Sequence, residues 1–323
     1  MGNLHPMTVE IPQHDGLHDG PRLHIMSVDV EDYFQVEAFA GSVSRESWDQ
    51  WPSRVVNNTR RILEMFAHYQ IRATFFFLGW VAHRFPGLVR EVHNAGHELA
   101  CHSYWHRPVY KLTADEFRKD TRMAVDALQQ AAGARILGYR APTWSITKQC
   151  AWALDILAQE GFAYDSSIYP IQHDLHGTPD GQRFAYTHLC EGGGKLIEFP
   201  PTTLRLGGVN FPAAGGGYLR IFPLAYTRWA FRHVEAQRQP VVVYIHPWEL
   251  DPEQPRVAAK LRSRVRHYTN LHRTEHRLRA LLQEYCFQRF QDALGTLAVN
   301  GEATGAGQEA VVSGGSCLGR GRI

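Results

Sequence analysis

Two histidines four positions apart, in Cys101-His102-Ser103-Tyr104-Trp105-His106, are the pair in this chain most able to share one ion. If the segment turns helically, both imidazoles lie on one face. Upstream, Asp29-Val30-Glu31-Asp32 clusters three carboxylates within four residues. A catalytic zinc needs three N/O ligands and one position left open for water, whose pKa it lowers to about 7. The two histidines and one carboxylate supply the ligands, and a second carboxylate beside the ion supplies a base. Arg140, in Gly138-Tyr139-Arg140-Ala141-Pro142-Thr143-Trp144, can hold that base ionised and oriented through a bidentate pair. His246, in Tyr244-Ile245-His246-Pro247-Trp248, can protonate a departing amine, and Asp165, in Tyr164-Asp165-Ser166-Ser167, can orient it. Each has a plainer reading: surface histidines in a chain with 18 of them, an ion-paired arginine, a core histidine, a turn aspartate.

Strands and helices must bring these residues together. Leu23-His24-Ile25-Met26-Ser27-Val28-Asp29-Val30 reads as a buried strand running straight into the acids. Residues 53–70 place Val55, Val56, Thr59, Ile62, Leu63 and Phe66 on one helical face, with Ser53 as N-cap. Residues 71–78 read as a strand. Residues 81–94 read as a helix interrupted by Pro86 and Gly87, and 96–100 as a short strand entering the histidine motif. Thr113 and Glu116 form a capping-box pattern before Phe117, Thr121, Ala124 and Leu128. The alternation continues with strand at 135–139, helix at 147–160, and strands at 162–164, 195–199 and 241–245. Such repeated units imply a parallel sheet with right-handed crossovers, closed or nearly closed into a barrel.

Between residues 170 and 217 the pattern loosens. Gly192-Gly193-Gly194 and Gly215-Gly216-Gly217 lack the spacing of a phosphate cradle and read as loop punctuation. Beyond residue 250 the chain turns basic, with Arg256, Lys260, Arg262, Arg264, Arg266 and His267, a run that reads as a solvated face. Thr274 is placed to cap a helix with Leu278, Leu281, Leu282 and Tyr285 on its core side. The expected organisation is a flexible arm over residues 1–22, a catalytic barrel over 23–250, a short helical extension over 251–292 packed on it, and a disordered tail over 293–323.

A net charge of +2 gives no general pull toward nucleic acid, so no nucleic-acid partner is expected. No apolar run reaches the roughly 18 residues of a membrane span, and the N-terminus lacks a signal-peptide layout. Five scattered cysteines without a CxxC pair argue against a disulfide framework and fit a reducing compartment, so a cytoplasmic location is expected.

The order of the motifs resembles the polysaccharide deacetylases of the NodB-homology, carbohydrate esterase 4 type: acids on the first strand, His102-Ser103-Tyr104-Trp105-His106, an R-x-P turn, an Asp motif and a late strand ending in His. That resemblance spans residues 23–250. The stretches SVDVEDYFQV, YRAPTWSI, GGGYLRIFP and HPWELDPEQPR followed by HYTNL resemble the subgroup associated with exosortase/PEP-CTERM loci, which carries its own C-terminal extension. The resemblance implies an α/β fold, a distorted (β/α)7-type barrel, and a hydrolase that de-N-acetylates an N-acetylhexosamine polysaccharide in exopolysaccharide synthesis. It implies Asp29 as general base, His102 and His106 as metal ligands, Arg140 as orienter of the base, and His246 as general acid tuned by Asp165. The cofactor would be a divalent metal, foremost Zn²⁺. The family's adjacent Asp pair is replaced here by Asp29-Val30-Glu31-Asp32. Asp32 is favoured as third ligand because a short side chain is well fixed at a loop, while Glu31, on the same strand face as Asp29, stays open. The main-chain N–H of Thr143 would serve the oxyanion, and Trp144, Tyr169 and Trp248 are candidates for stacking on a sugar. Partners would be a polysaccharide or oligosaccharide substrate and, peripherally, a membrane polysaccharide-assembly complex. Two further readings stay open: a non-catalytic glycan-binding component, and a hydrolase of another amide on the same barrel.

Overall fold

The computed structural model of the chain describes residues 8–10, 22–173, 177–213 and 215–302. Twelve strands are present among them: β1 (Thr8–Glu10), β2 (Leu23–Val30), β3 (Thr74–Phe77), β4 (Glu98–Cys101), β5 (Gly138–Tyr139), β6 (Tyr164–Asp165), β7 (Tyr186–Leu189), β8 (Lys195–Glu198), β9 (Thr203–Leu206), β10 (Val209–Pro212), β11 (Val242–Ile245) and β12 (Cys286–Gln288). The α-helices are α1 (Val55–His68), α2 (Gly79–Arg84), α3 (Pro86–Asn94), α4 (Ala114–Ala132), α5 (Trp152–Gln159), α6 (Gly216–Ile221), α7 (Leu224–Ala236), α8 (Leu261–Tyr268), α9 (Leu271–Glu284) and α10 (Phe290–Glu302).

Seven strands pair in parallel in the order β8-β6-β5-β4-β3-β2-β11, with helices at most crossovers, as a wound α/β sheet requires. Between the outer two, the chain just past β8 closes the gap: Val242 N–H donates to Thr202 Oγ1 at 2.7 Å, and Gly215 bridges Tyr244. The result is a distorted barrel. At Gly215, φ is 142° and an added Cβ would lie 1.9 Å from the Tyr244 carbonyl oxygen, so the glycine is there for close approach.

Alternation along the strands sorts the core into two layers. Met26, Val28 and Val30 of β2 face the helices, whereas Ile25 joins Phe76, Ala100, Tyr164, Phe199 and Val242 inside the sheet. Phe290, at the start of α10, fills that interior with no exposed surface, stacking on Tyr164 at 5.2 Å between centroids. On the same inner face, one step further along the strands, lie Asp29, His102, Arg140 and His246.

Several sequence expectations need correction. Residues 8–10 of the supposed arm pair antiparallel with β7; the other residues up to 21 lie outside the described ones. The loosened stretch holds, besides β8 at the expected 195–199 strand, β7, β9 and β10, whose short strands the Gly and Pro residues obscured. The C-terminal extension is woven in, since β12 pairs with residues 23–25 of β2, and α10 carries helix to Glu302 inside the expected tail. Residues 303–323 lie outside the described ones. Thr274 is buried within α9, whose N-cap is Asn270. No described helix is long and apolar enough to cross a membrane. Cys101, Cys150 and Cys190 are buried and in no disulfide.

Candidate active site

At the C-terminal ends of the strands a cavity of about 380 Å³ is lined by Asp29, Glu31, His102, His106, Thr143, Trp144, His246 and Trp248. Strand ends are where a parallel α/β sheet leaves loops free to carry chemistry.

The histidine pair does not sit on a helix. His102 follows β4, and positive φ values at Ser103 (61°) and His106 (51°) curl the loop until the rings lie 5.4 Å apart. His102 Nδ1 donates to the Arg140 carbonyl at 2.8 Å, which fixes the ring and leaves Nε2 for the cavity. Burial lowers the His102 pKa to about 4, so its lone pair is available at neutral pH. His106 Nε2 lies 2.7 Å from Glu31 Oε2. Burial would raise Glu31, but the charge and proximity of His106, with His246 and His102, hold it at about 2, an ionised carboxylate. Arg45 pins the loop from outside, donating to the carbonyls of Trp105 at 2.6 Å and His106 at 3.0 Å.

Glu31, His102 and His106 are the three residues here whose ligand atoms lie within 4.8 Å of one another. They fit a divalent cation. Two imidazoles and one carboxylate are an N/O donor set that zinc takes, and His106 Nδ1 is buried without a hydrogen-bond partner. Trp248 Nε1 donates to the other oxygen, Oε1, at 3.1 Å and orients the carboxylate. Asp32 does something else. Its carboxylate accepts from Ser53 Oγ at 2.6 Å and from the N–H groups of Arg54 at 2.9 Å and Val55 at 3.2 Å, capping α1 from 21 to 23 residues upstream. Ser53, the expected N-cap, thus donates to the residue that caps.

Asp29 is 1% exposed, and Arg140 Nη1 donates to its Oδ1 at 2.6 Å. The guanidinium is fully buried over the Phe76 ring at 4.1 Å and also donates to Ser27 Oγ at 2.8 Å and Ser166 Oγ at 3.0 Å. Asp29 Oδ2 is left facing His246 Nε2 at 3.9 Å.

Asp165 does not serve His246. It sits beside Glu198 across β6 and β8 and accepts from Ser167 Oγ at 2.6 Å, and Ser167 Oγ accepts from Ala141 N–H at 2.8 Å. Burial raises Asp165 to about 6, and burial with the Asp165 charge raises Glu198 well above its ordinary value, so the two share a proton. Asp165 therefore braces the R-A-P turn. The partner of His246 is Glu249, whose Oε2 accepts from Nδ1 at 3.1 Å. Behind it, buried Arg220 donates to Glu249 Oε1 at 2.6 Å. Burial would lower the His246 pKa, but the hydrogen bond and charge of Glu249, with Glu31 and Asp29, raise it to about 9. Neither Glu249 nor Arg220 was singled out in the sequence. The i, i+3 spacing in His246-Pro247-Trp248-Glu249, a capping-box pattern, was the readable signal for the first.

Thr143 (φ 59°) and Trp144 (φ 48°) are consecutive left-handed non-glycine residues, rare for a β-branched side chain and typical of functional turns. The turn's own bonds run from Trp144 N–H to Ala141 and Ser145 N–H to Pro142. Trp144 and Trp248 reach the cavity wall. Trp248 is stacked between His246 and His267, at 5.1 and 4.1 Å, so its faces are taken. Tyr169 is fully buried behind Trp144 and does not line the cavity.

Residues 46–163 match the family model described as polysaccharide deacetylase. That segment is similar to the polysaccharide deacetylases. Within this matched segment lie His102, His106 and Arg140, whereas residues 166–295, which carry Arg220, His246 and Glu249, match a domain of unknown function (DUF3473). Over 98 residues the chain is 33% identical to a peptidoglycan-N-acetylglucosamine deacetylase of Bacillus cereus, covering 30% of this chain and 36% of that one. The chain thus spans about a third of that curated relative's length. In fold it is similar to a polysaccharide deacetylase structure from Mycobacterium smegmatis (TM-score 0.59, 19% identity, 92% of this chain and 96% of that one). It is similar also to the Puue allantoinase (TM-score 0.56, 16% identity, 92% and 99%).

Proposed function

We propose that the protein is a metal-dependent hydrolase that removes acetyl groups from N-acetylhexosamine units of a polysaccharide, in exopolysaccharide synthesis, releasing acetate. The observation that carries this reading is the convergence, on one cavity, of a Glu31-His102-His106 ligand set with an arginine-held aspartate and a carboxylate-held histidine. A divalent cation held by Glu31, His102 and His106, foremost Zn²⁺, would supply Lewis acidity, polarising a carbonyl and acidifying water.

The chain's own groups then divide the proton work. Asp29 Oδ2, the oxygen not engaged by Arg140, accepts a proton from the attacking water as the water oxygen bonds to the acetamide carbon. The Thr143 N–H, in its strained turn at the cavity edge, donates to the carbonyl oxygen as it gains negative charge. His246, protonated because Glu249 stabilises the imidazolium, gives its Nε2 proton to the sugar nitrogen as the C–N bond breaks. Acetate and a free amine result. The dry side chains around Arg140 and Glu249 keep both partners fixed between turnovers.

The test is acetate release from N-acetylglucosamine oligomers by metal-loaded protein, with and without chelator. Release that chelator abolishes and added Zn²⁺ restores is expected. Tight oligomer binding with no acetate would favour a glycan-binding role instead, and turnover confined to other amides would move the reading to that class.

A further inference from the structure

A second set of ligating side chains lies outside the cavity, between α5 and the β7–β8 hairpin. His188 of β7 and Cys190 just after it are two residues apart and so point to one side of the strand. They are 6% and 8% exposed. Asp155, in the first turn of α5, faces them. The imidazole nitrogen, the sulfur and a carboxylate oxygen of these three lie within 4.8 Å of one another. The geometry holding them is built by the backbone: Cys190 N–H donates to Gly194 O at 2.8 Å and Gly193 N–H to Cys190 O at 3.1 Å, closing the hairpin turn. Asp155 Oδ1 accepts from Glu191 N–H at 2.9 Å and stands 3.9 Å from His188 Nε2, and the Cys190 thiol donates to the Leu154 carbonyl at 3.9 Å, a proton that metal binding would displace.

We infer that Asp155, His188 and Cys190 form a second Zn²⁺ site that ties α5 to the β7–β8 hairpin. The donor set decides the metal: one sulfur, one imidazole and one carboxylate suit Zn²⁺ and exclude Mg²⁺ and Ca²⁺, which prefer oxygen alone. Binding ionises the Cys190 thiol and releases its proton to solvent. Three protein ligands leave one position for water, on the side where Asp155 is partly exposed. The site does not depend on the proposed deacetylase chemistry, because none of its residues lines the cavity.

Sulfur separates the two sites experimentally, since Glu31, His102 and His106 offer none. Full-length protein stripped and reloaded should bind two equivalents of Zn²⁺, and His102→Ala/His106→Ala should keep one. With Co²⁺ in place of Zn²⁺, that remaining equivalent should show the near-ultraviolet thiolate-to-metal absorption. Cys190→Ser should remove the band and the equivalent together, and His188→Ala should do the same if the serine variant fails to fold. Zn²⁺ should also raise the melting temperature of His102→Ala/His106→Ala. A single equivalent in the unmodified chain with no sulfur band overturns the site, as does a band that survives Cys190→Ser.

Discussion

Two buried arginines organise the cavity, and the contrast between them accounts for the proposed division into a base arm and an acid arm. Arg140 touches Asp29 directly, donating to Oδ1 and leaving Oδ2 turned to the cavity. Arg220 reaches His246 only through Glu249. The interposed carboxylate reverses the sign of the field at the imidazole and raises its pKa to about 9, so it holds a proton to give. Both guanidinium groups are shielded by aromatic rings, Phe76 at 4.1 Å and Trp248 at 5.3 Å. The number of carboxylates between cation and reacting group sets the role.

The arms also differ in origin. Arg140 lies in the segment matched to the polysaccharide deacetylase model, whereas Arg220, Glu249 and His246 come from the following segment, matched to a domain of unknown function. Arg220 is itself held by the end of α8, donating to the carbonyls of His267 and Thr269 at 2.8 Å each, a favourable place for a cation at a helix C-terminus. The C-terminal extension thus supports the acid arm, whose residues precede it, through the carbonyls at the end of α8.

The largest effect should come from removing the metal site that the two arms flank. Glu31→Ala is expected to lose one equivalent of metal and all measurable acetate release, read by metal analysis and an acetate assay. Next, Asp29→Asn and His246→Gln should each lower kcat by about 10² to 10⁴-fold with metal content unchanged. They should differ in pH dependence. An acid works protonated, so activity falls as pH rises through the His246 pKa of about 9; that alkaline limb should vanish in His246→Gln and persist in Asp29→Asn. Equal profiles in the two variants would break the comparison. Glu249→Gln removes the charge that raises His246, so the alkaline limb should move to lower pH and turnover should drop about 10 to 100-fold, as for other residues that orient a reacting group. The smallest effect is expected for Asp32→Ala: about 1 kcal/mol of stability lost with the α1 cap, seen in denaturant unfolding, with metal and kcat retained.

Local pattern carried much of the fold. The apolar run of β2, the capping box at Thr113 and Glu116, and Pro86 starting α3 after a break all follow from short-range chemistry. Patterns failed where partners are distant. The strands β7, β9 and β10 are short and lie in glycine-rich sequence, so no period stands out, and β12 gains its place only by pairing with β2, more than 250 residues away in the chain.

The sequence by itself determined which chemistries were present: paired histidines after one strand, acids after another, an arginine before a proline turn, and a histidine ending the last strong strand. Only the tertiary structure decided among neighbours of the same type. Asp32 is drawn away by the N-terminus of α1, leaving Glu31 to face His102 and His106, and Asp165 is taken by Glu198 and Ser167, leaving His246 to Glu249. The reason is directional. Adjacent carboxylates look alike in a sequence, but each satisfies only the donors its backbone position aims it at, and those donors arrive from elsewhere in the fold.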